Sequence, residues 1–419
     1  VDNASGNPTL TLVVGSDNRT ATYASGDNST QQVFRYTIQA EEADSNGISI
    51  RANALDNNSS TIRDRAGNIA TDLTHSAVSH NDDYIVDTTP PTVSSVAITS
   101  ATDKQYNFVN ATDVVSVTAT FSETPISAVI VESGTATLTL VVGSANRTAT
   151  LHSGSSTIVS GSDNASLVFQ YTIQATGTSG ENDDDGISIG ANALNSNSIT
   201  IRDAAGNIAT DLTHSAVSAN TSYKVDTTAL TVNSFTISDT LLVVGDNATV
   251  DLVFSEPASF SSDDDITVAN GTLAAMTSSD NITWTGTFTP NANTEEDNNT
   301  LSLDNASYTD LAGNTGPSAT TANYEVETKA PTGSFTFTDY HFKLGDNATV
   351  TLDFSEVVVG FSSDVDITVP NLDNGTTSGT LAAMTSSDNR TWSGTFTPTF
   401  PNTQDWSNTL SLTTSYTDT

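Results

Sequence analysis

Acidic side chains recur in two short motifs that could supply oxygen ligands to a cation. The motif Phe-Ser-Glu closes an apolar run at Glu123, Glu256 and Glu356, and loops of the form Asp-x-Ala-Gly-Asn begin at Asp64, Asp203 and Asp310. Carboxylate, amide and backbone carbonyl oxygens are the ligands that a hard cation such as Ca²⁺ prefers. Without a cation, carboxylates brought close together would repel one another. We therefore expect structural calcium sites where these motifs meet.

The linkers that precede the repeated segments add a third acidic position, with Glu in place of Asp in the last linker. The predicted metal ligands form three groups: Asp87, Glu123, Asp203 and Asn207; Asp226, Glu256, Asp310 and Asn314; and Glu327 and Glu356, with Asp418 beginning a third loop. An alternative stays open, in which Phe-Ser-Glu merely ends a strand and Asp-x-Ala-Gly-Asn is an Asp-capped turn with glycine at a positive φ.

Asparagines preceded by aspartate follow a second pattern, because each of the twelve begins an Asn-x-Ser/Thr triplet. They are Asn3, Asn18, Asn28, Asn57, Asn164, Asn247, Asn281, Asn298, Asn305, Asn347, Asn374 and Asn389. Five more triplets begin at Asn58, Asn110, Asn146, Asn220 and Asn270. The triplet is the acceptor of N-glycans, which need an exposed loop and an extracytoplasmic route. Turn formation by Asp-Asn is the alternative, but it asks nothing of the residue two positions after Asn.

Residues suited to catalysis are scarce. His75 and His214 occupy the same position in duplicated segments, which favours a role in the fold, and the other three histidines are isolated. Acid runs such as Asp183 to Asp185 and Asp263 to Asp265 lie in polar loop segments, where hydration keeps carboxylates ordinary. No Gly-rich loop precedes a helix, so nucleotide chemistry is unsupported. We expect a protein that is not an enzyme.

Charge excludes several classes of partner. The 419 residues carry 49 acidic against 12 basic side chains, a formal net charge of −37, which repels nucleic acid and anionic lipid headgroups alike. No cysteine is present, so disulfides, thiolate metal sites and thiol nucleophiles are excluded together. No run approaches the ~20 apolar residues of a membrane span, and any signal or anchor is expected outside this segment.

Internal repeats dominate the sequence. Thr-Leu-Thr-Leu-Val-Val-Gly-Ser begins at Thr9 and again at Thr137, and Gly-Thr-Leu-Ala-Ala-Met-Thr-Ser-Ser-Asp-Asn begins at Gly271 and again at Gly379. These pairs define two kinds of repeat that share parts. The predicted domains are 1–91 and 92–229 of the first kind, and 230–330 and 331–419 of the second kind.

Aligned in this way, residues 1–91 lack the opening strands of their counterpart, and residues 331–419 lack a closing strand. The sequence is therefore expected to be an excerpt of a longer repetitive chain. Strand donation by neighbouring subunits is the less favoured alternative.

The elements that must position these motifs are strands. Val250, Leu252 and Phe254 alternate with Asp251 and Val253, and Val115 and Val117 stand on either side of Ser116. This period of two predicts half-buried antiparallel sheets. Short strands separated by Gly, Asn and Asp turns predict an all-β chain of tandem immunoglobulin-like sandwiches arranged as a rod or fibre. In a sandwich the first strand leaves the linker and the second returns to it. The Phe-Ser-Glu glutamate and the Asp-x-Ala-Gly-Asn loop should therefore meet beside the upstream linker.

With these motifs and the Val-Asp-Thr-Thr linkers, the sequence resembles the bacterial immunoglobulin-like repeats of giant adhesins and other prokaryotic surface proteins. The resemblance covers essentially the whole chain, but such repeats serve as spacers in many proteins. It implies that the repeats extend a binding tip from the cell and that calcium stiffens their junctions.

We expect a non-enzymatic, extracellular cell-surface protein that forms a glycosylated filament, sheath or S-layer-like coat. Its expected partners are copies of itself, other surface components, and host or surface glycans bound through regions outside this chain. The first alternative is a calcium-stiffened extender of a one-step-secreted adhesin, which would carry no glycans. The second is an accessory carbohydrate-binding region of a secreted hydrolase.

Overall fold

The computed structural model describes residues 2–4, 7–122, 130–131, 135–153, 166–175, 181–371, 375–400 and 408–418. The described chain is nearly all β, which confirms the predicted fold class of immunoglobulin-like β-sandwiches. It divides into two compact units, the first formed by Val1–Leu230 with Thr309–Thr315 and the second by Thr231–Tyr308 with Gly316–Thr419. The boundaries of the four repeats within these units remain a prediction.

The first unit contains strands from both repeats of the first kind. They are β1 (Asp2–Ala4), β2 (Thr9–Val14), β3 (Asp17–Ser25), β4 (Val33–Arg35), β5 (Ser49–Asp56), β6 (Thr61–Arg63), β7 (Val93–Ala101), β8 (Phe108–Val109), β9 (Val114–Phe121), β10 (Ile130–Val131), β11 (Thr137–Val142), β12 (Ala145–Leu151), β13 (Ser166–Thr172), β14 (Asn182–Asp183), β15 (Leu194–Asn195), β16 (Ile201–Arg202) and β17 (Lys224–Asp226). A 3-10 helix spans Asp82–Tyr84.

The described strands of the first unit form antiparallel ladders and one parallel pair. The larger sheets have the orders β4-β3-β2-β5 and β15-β11-β12-β13-β9-β7, and a smaller one has the order β14-β17-β8. In the smaller sheet β8 and β17 run parallel, with Val109 opposite Val225. Parallel pairing of an early strand with the last strand joins the beginning and the end of the repeat.

The second unit is built from two successive copies of a similar strand pattern. Its elements are β18 (Val232–Ile237), β19 (Leu241–Val243), β20 (Ala248–Phe254), β21 (Ala258–Ser259), α1 (Ser262–Asp265), β22 (Ile266–Thr267), β23 (Gly271–Leu273), β24 (Thr283–Pro290), β25 (Glu295–Asn299), β26 (Ser302–Leu303), β28 (Ala319–Thr320), β29 (Tyr324–Glu327), β30 (Gly333–Phe337), β31 (Ala348–Phe354), α2 (Ser363–Asp366), β32 (Ile367–Thr368), β33 (Gly379–Leu381), β34 (Thr391–Pro398) and β35 (Ser411–Leu412). Strand β27 (Thr309–Asp310) belongs to the first unit.

Four-stranded sheets organise both copies in the second unit. Their orders are β18-β20-β24-β23 and β30-β31-β34-β33, and in the earlier copy a second sheet, β19-β29-β25, covers the inner face. Val250, Leu252 and Phe254 are each 0% exposed while Asp251 between them is exposed, so the predicted alternation is confirmed. Phe288 is also buried, whereas Trp284 is half-buried and packs edge-on against Phe260. The prediction that this strand's aromatics fill the space between sheets is thus met by Phe288 and only partly by Trp284.

A buried glutamate joins several elements within the second repeat of the first unit through hydrogen bonds. Glu181 is 2% exposed and accepts hydrogen bonds from Arg147 Nε, the Tyr171 hydroxyl and, at 3.1 Å, the Gln174 amide. Burial, followed by the hydrogen bond to Glu181, raises the pKa of Tyr171, so the phenol stays protonated as a donor. Because several donors bind the carboxylate, these hydrogen bonds offset the free-energy cost of burying its charge.

Both duplicated histidines serve the fold, as their repetition indicated. His214 Nε2 accepts the backbone amides of Ala193 and Leu194 at 2.8 and 3.3 Å, and its Nδ1 lies 2.8 Å from the Ser215 carbonyl oxygen. His75 makes the same contacts in the first repeat. The neutral imidazole with its proton on Nδ1 satisfies all three contacts.

We predict that Glu181→Ala lowers the free energy of unfolding of the first unit by about 3 kcal/mol, because it leaves a partly buried guanidinium without its anion. Asp17→Ala is the matched control, since Asp17 pairs with Arg19 but its side chain is 61% exposed. Exposed pairs contribute little. Both changes are measured by unfolding the protein in denaturant while hydrogen exchange reports on the amides of the first unit. Equal losses of stability in the two variants would contradict a special role of Glu181.

Candidate metal centre

Three carboxylates converge at the start of the last repeat. Oxygen atoms of Glu327, Glu356 and Asp418 all lie within 4.8 Å of one another, and each residue is half-buried. The three come from the linker, from the Phe-Ser-Glu motif and from the beginning of the third loop. The structure therefore brings together the three acidic positions of this predicted group.

Backbone pairing positions these carboxylates. Ser355 and Thr332 exchange hydrogen bonds, with the Thr332 amide donating to Ser355 Oγ at 2.9 Å and the Ser355 amide donating to the Thr332 carbonyl at 2.8 Å. This pair holds Glu356 beside the linker. A reciprocal bridge between Val359 and Thr417, at 2.7 and 3.1 Å, brings Asp418 to the same place.

The serine of Phe-Ser-Glu is a positioning residue that the sequence analysis missed. Ser255 pairs with Thr231 as Ser355 pairs with Thr332. Ser122 pairs with Thr92 in the same way, since the Thr92 amide donates to Ser122 Oγ at 3.3 Å and the Ser122 amide donates to the Thr92 carbonyl at 2.8 Å. The recurrence of Ser at this position, with Thr shortly after each linker acid, is the pattern from which it could have been found.

Repulsion and burial act on the cluster together. Burial raises the pKa of Glu327, and the charges of Glu356, Glu295 and Asp418 raise it further. Burial and then the charges of Asp418 and Glu295 likewise raise the pKa of Glu356. Among the described residues, the buried Oε1 atom of Glu327 has no hydrogen-bond partner. A buried carboxylate oxygen without a donor is costly, and a cation would relieve that cost.

One basic residue lies near this cluster without neutralising it. Lys329 Nζ is 2.7 Å from Glu295 Oε2, and both side chains are more than two-fifths exposed, at 42% and 45%. Glu295 stands directly opposite Glu327 in the ladder between β25 and β29. An exposed pair of this kind is screened by water and contributes little. The lysine therefore offsets the charge of Glu295 more than that of the half-buried cluster.

In the first predicted group, the Asp-x-Ala-Gly-Asn loop that begins at Asp203 is hydrogen-bonded to the linker. Asn207 Nδ2 donates to the Asp87 carbonyl oxygen at 3.1 Å and to Asp203 Oδ2 at 2.7 Å, while the Asn207 amide donates to Asp203 Oδ1 at 2.8 Å. Asp203 is fully buried and Asp87 is half-buried. Glu123 lies outside the described residues, so a cation site in this group remains a prediction.

Residues of the second group make the same hydrogen bonds between loop and linker. Asn314 Nδ2 donates to the Asp226 carbonyl oxygen at 3.0 Å and to Asp310 Oδ2 at 2.9 Å. Burial and then the charge of Asp310 raise the pKa of Asp226. Glu256 belongs to the second unit, where it is half-buried. The two loops thus have the Asp-capped turn of the alternative interpretation, and their asparagines also bind the linker backbone.

Most predicted glycan acceptors are accessible. The exposed ones are Asn18, Asn28, Asn57, Asn58, Asn146, Asn247, Asn281, Asn298, Asn305, Asn347 and Asn389. Asn110, Asn220 and Asn270 are half-buried, and Asn270 Nδ2 donates to Asn299 Oδ1 at 2.6 Å. Asn164, Asn374 and the side chain of Asn3 lie outside the described residues.

Aspartate before asparagine has a turn-forming role at two of these positions. Asp280 Oδ1 accepts the amides of Ile282 and Thr283 at 2.9 and 2.8 Å, and Asn281 between them has a φ of 58°. Asp388 makes the equivalent bonds to Arg390 and Thr391, and these bonds lower its pKa to about 2. The turn therefore explains the Asp and the Asn at these positions. It does not explain the Ser or Thr that completes the triplet, because the turn uses only the backbone of that residue.

No helix among the described residues is long and apolar enough to cross a membrane.

Comparison with known families supports the sequence-based resemblance. A family model described as a bacterial Ig-like domain matches residues 226–326 and 327–419 in tandem, just under half of the chain. The predicted resemblance to bacterial immunoglobulin-like repeats is confirmed for these two segments. A comparison with curated proteins gave no significant match.

A search of solved structures found similarity to FdeC, an adhesin of Escherichia coli. The alignment covers 77% of this chain and 99% of that one, at 11% sequence identity and a TM-score of 0.25. At that score the similarity does not bear on what this chain binds.

We predict that the metal-free second unit becomes more stable as the pH falls from neutral. The raised pKa values of Glu327 and Glu356 mean that the folded state binds their protons more tightly than the unfolded state. Stability should therefore rise as the pH falls through the raised values and should level off near the ordinary value of 4.5.

Urea unfolding in a chelator measures this effect by tryptophan fluorescence, because all three tryptophans lie after residue 280. Glu356→Gln removes one of the repelling charges and should flatten the rise between pH 7 and about 5. A slope unchanged by that substitution would show that these carboxylates do not cause it.

Proposed function

We propose that this chain is a calcium-stabilised spacer of an extracellular bacterial surface protein and is not an enzyme. The convergence of Glu327, Glu356 and Asp418 carries the proposal. Three carboxylates supply part of the six to eight oxygen ligands that Ca²⁺ takes, and backbone carbonyls and water would supply the rest. Bound calcium would join the linker to the Phe-Ser-Glu strand and to the third loop, which would restrict hinge motion at the beginning of the repeat.

A surface role is supported by the match of two tandem segments to a bacterial Ig-like domain and by the charge of −37. Repeats of this kind separate other parts of a protein by a fixed length, and a large negative charge keeps such an array soluble in salty water. We further propose assembly into a glycosylated filament, sheath or S-layer-like coat with copies of itself or other surface components. The exposure of eleven predicted acceptor asparagines supports the glycan part.

If the chain is instead an adhesin extender, it should carry no glycans, because one-step secretion bypasses the glycosylation machinery. The alternative as a carbohydrate-binding region would need an exposed aromatic platform. Trp284 and Trp392 instead pack edge-on against Phe260 and Phe361, with ring centroids 5.0 and 4.9 Å apart. This packing favours the spacer over the carbohydrate-binding region.

Calcium at about a hundred times its dissociation constant should raise the free energy of unfolding of the second unit by about 2.7 kcal/mol. Glu356→Gln should abolish most of that gain, while making the calcium-free protein more stable by removing repulsion. Asp364→Asn makes the same change of charge on the exposed face of α2 and should retain the gain. Thermal unfolding followed by tryptophan fluorescence, with calcium or chelator, measures all three proteins. Equal calcium effects in both variants would place the cation elsewhere.

Intact mass of the protein isolated from its native source should show large heterogeneous increments if it is glycosylated. Peptide mapping should find glycans on exposed acceptors such as Asn281 and Asn389, and should find Asn270 unmodified because its amide is engaged with Asn299. A mass equal to that of the bare polypeptide would favour the adhesin extender.

A further inference from the structure

A turn of the first repeat contains the dipeptide Asn46-Gly47. Asn46 is exposed, and the triplet that it begins ends in isoleucine, so it is not one of the predicted glycan acceptors. Gly47 has a φ of 81°, and a Cβ atom there would lie 1.8 Å from the Asn81 carbonyl oxygen, so the turn requires glycine. The residue after Asn46 therefore has no side chain that could shield its backbone nitrogen from the Asn46 side chain.

The backbone nitrogen of Gly47 is not held by a hydrogen bond to any described residue. In the second repeat the equivalent nitrogen, that of Gly186, donates to Asp183 Oδ1 at 2.9 Å. The residue before this glycine is Asp185 instead of an asparagine. The two copies of the turn therefore differ at the two groups that could react with each other, the glycine nitrogen and the side chain that precedes it.

We propose that Asn46 deamidates spontaneously through a cyclic imide. The Gly47 nitrogen bonds to the side-chain carbonyl carbon of Asn46, and the amide group leaves as ammonia with the proton of that nitrogen. Water then opens the ring at either carbonyl carbon, which gives aspartate or isoaspartate at position 46. The net change takes up one water and releases one ammonia, so no oxidant or other co-reactant is needed. Asparagine is among the thermolabile residues of proteins, and the proposal depends neither on calcium nor on glycans.

Aspartate at position 46 should fit the fold, because the second repeat already has Asp185 at the same place in the turn. The surroundings of the two turns are built alike. Asp44 Oδ2 accepts the Gly15 amide at 2.7 Å. Asp183 Oδ2 makes the equivalent bond to the Gly143 amide, also at 2.7 Å. The aspartate product therefore reproduces a turn that this chain already contains.

Isoaspartate at position 46 should not fit, because it lengthens the main chain by a methylene group between two sets of backbone bonds. Before the turn, Asp44 and Val86 exchange hydrogen bonds at 2.7 and 3.0 Å. After it, the Ile48 amide donates to the Tyr84 carbonyl oxygen at 3.1 Å. A longer turn cannot keep both sets in register. The isoaspartate product should therefore weaken the pairing that holds Val86 in the core, where it is 7% exposed.

Peptide mapping of the full chain after prolonged incubation at neutral pH tests the proposal. The peptide of residues 36–51 has Asn46 as its sole asparagine and should convert into two acidic products of equal mass. The other described Asn-Gly pair, Asn270-Gly271, is the matched control, because Asn270 is half-buried and its Nδ2 donates to Asn299 Oδ1 at 2.6 Å. Asn46 should react at least about fivefold faster, since Asn270 must first break that bond. In urea the two rates should become similar, and equal rates in the folded chain would overturn the proposal.

Two variants and hydrogen exchange separate the reaction from its consequences. Asn46→Gln keeps an amide but would have to form a larger ring, so the incubated variant should remain unchanged at position 46. Freshly prepared Asn46→Asp should protect the Ile48 and Val86 amides as the unmodified chain does. In the incubated unmodified chain, the fraction of molecules that exchange these amides quickly should match the isoaspartate fraction in the peptide map. Reaction of the glutamine variant at the same rate, or full protection in molecules that contain isoaspartate, would refute the proposal.

Discussion

Packing between sheets has to hold every repeat of this chain, because no cysteine is present to cross-link them. Small domains without disulfides or metals depend on how completely their strands cover the apolar interior. In the earlier repeat of the second unit this cover is nearly complete, with Val250, Leu252, Phe254 and Phe288 all at 0% exposure. This dense packing therefore has to supply the stability that a cross-link would otherwise add.

The sandwich also determines where acidic residues meet. The first strand begins at the linker and the second strand ends beside it, so the linker acid and the Phe-Ser-Glu glutamate become neighbours. The hydrogen bonds exchanged between Ser355 and Thr332 hold Glu356 beside the linker. Burial raises the pKa values of Glu327 and Glu356, and the charges of neighbouring carboxylates raise them further. A cation that bound there would stabilise the fold and the junction together.

The buried carboxylate of the first unit is stabilised differently from the acidic cluster of the second unit. Glu181 is as buried as the core residues around it, yet arginine, tyrosine and a backbone amide satisfy it. Glu327, by contrast, has a buried oxygen without a partner. Both residues are glutamates close to strand ends, so the residue type alone does not distinguish a structural anion from a candidate ligand. The number of donors within reach distinguishes them.

Alternation of apolar residues and the spacing of the repeated motifs were sufficient to predict an all-β fold, because a period of two is a local property of a strand. The sequence also predicted that Glu327, Glu356 and Asp418 would meet, since that follows from strand direction alone. It did not predict the serine and threonine pair that holds them, the use of Asn207 and Asn314 as clamps on linker carbonyls, or the half-buried position of Trp284. Those depend on which side chains face each other across separate strands. Distances and solvent exposure of this kind arise only when the sheets pack, so only the tertiary structure decided them.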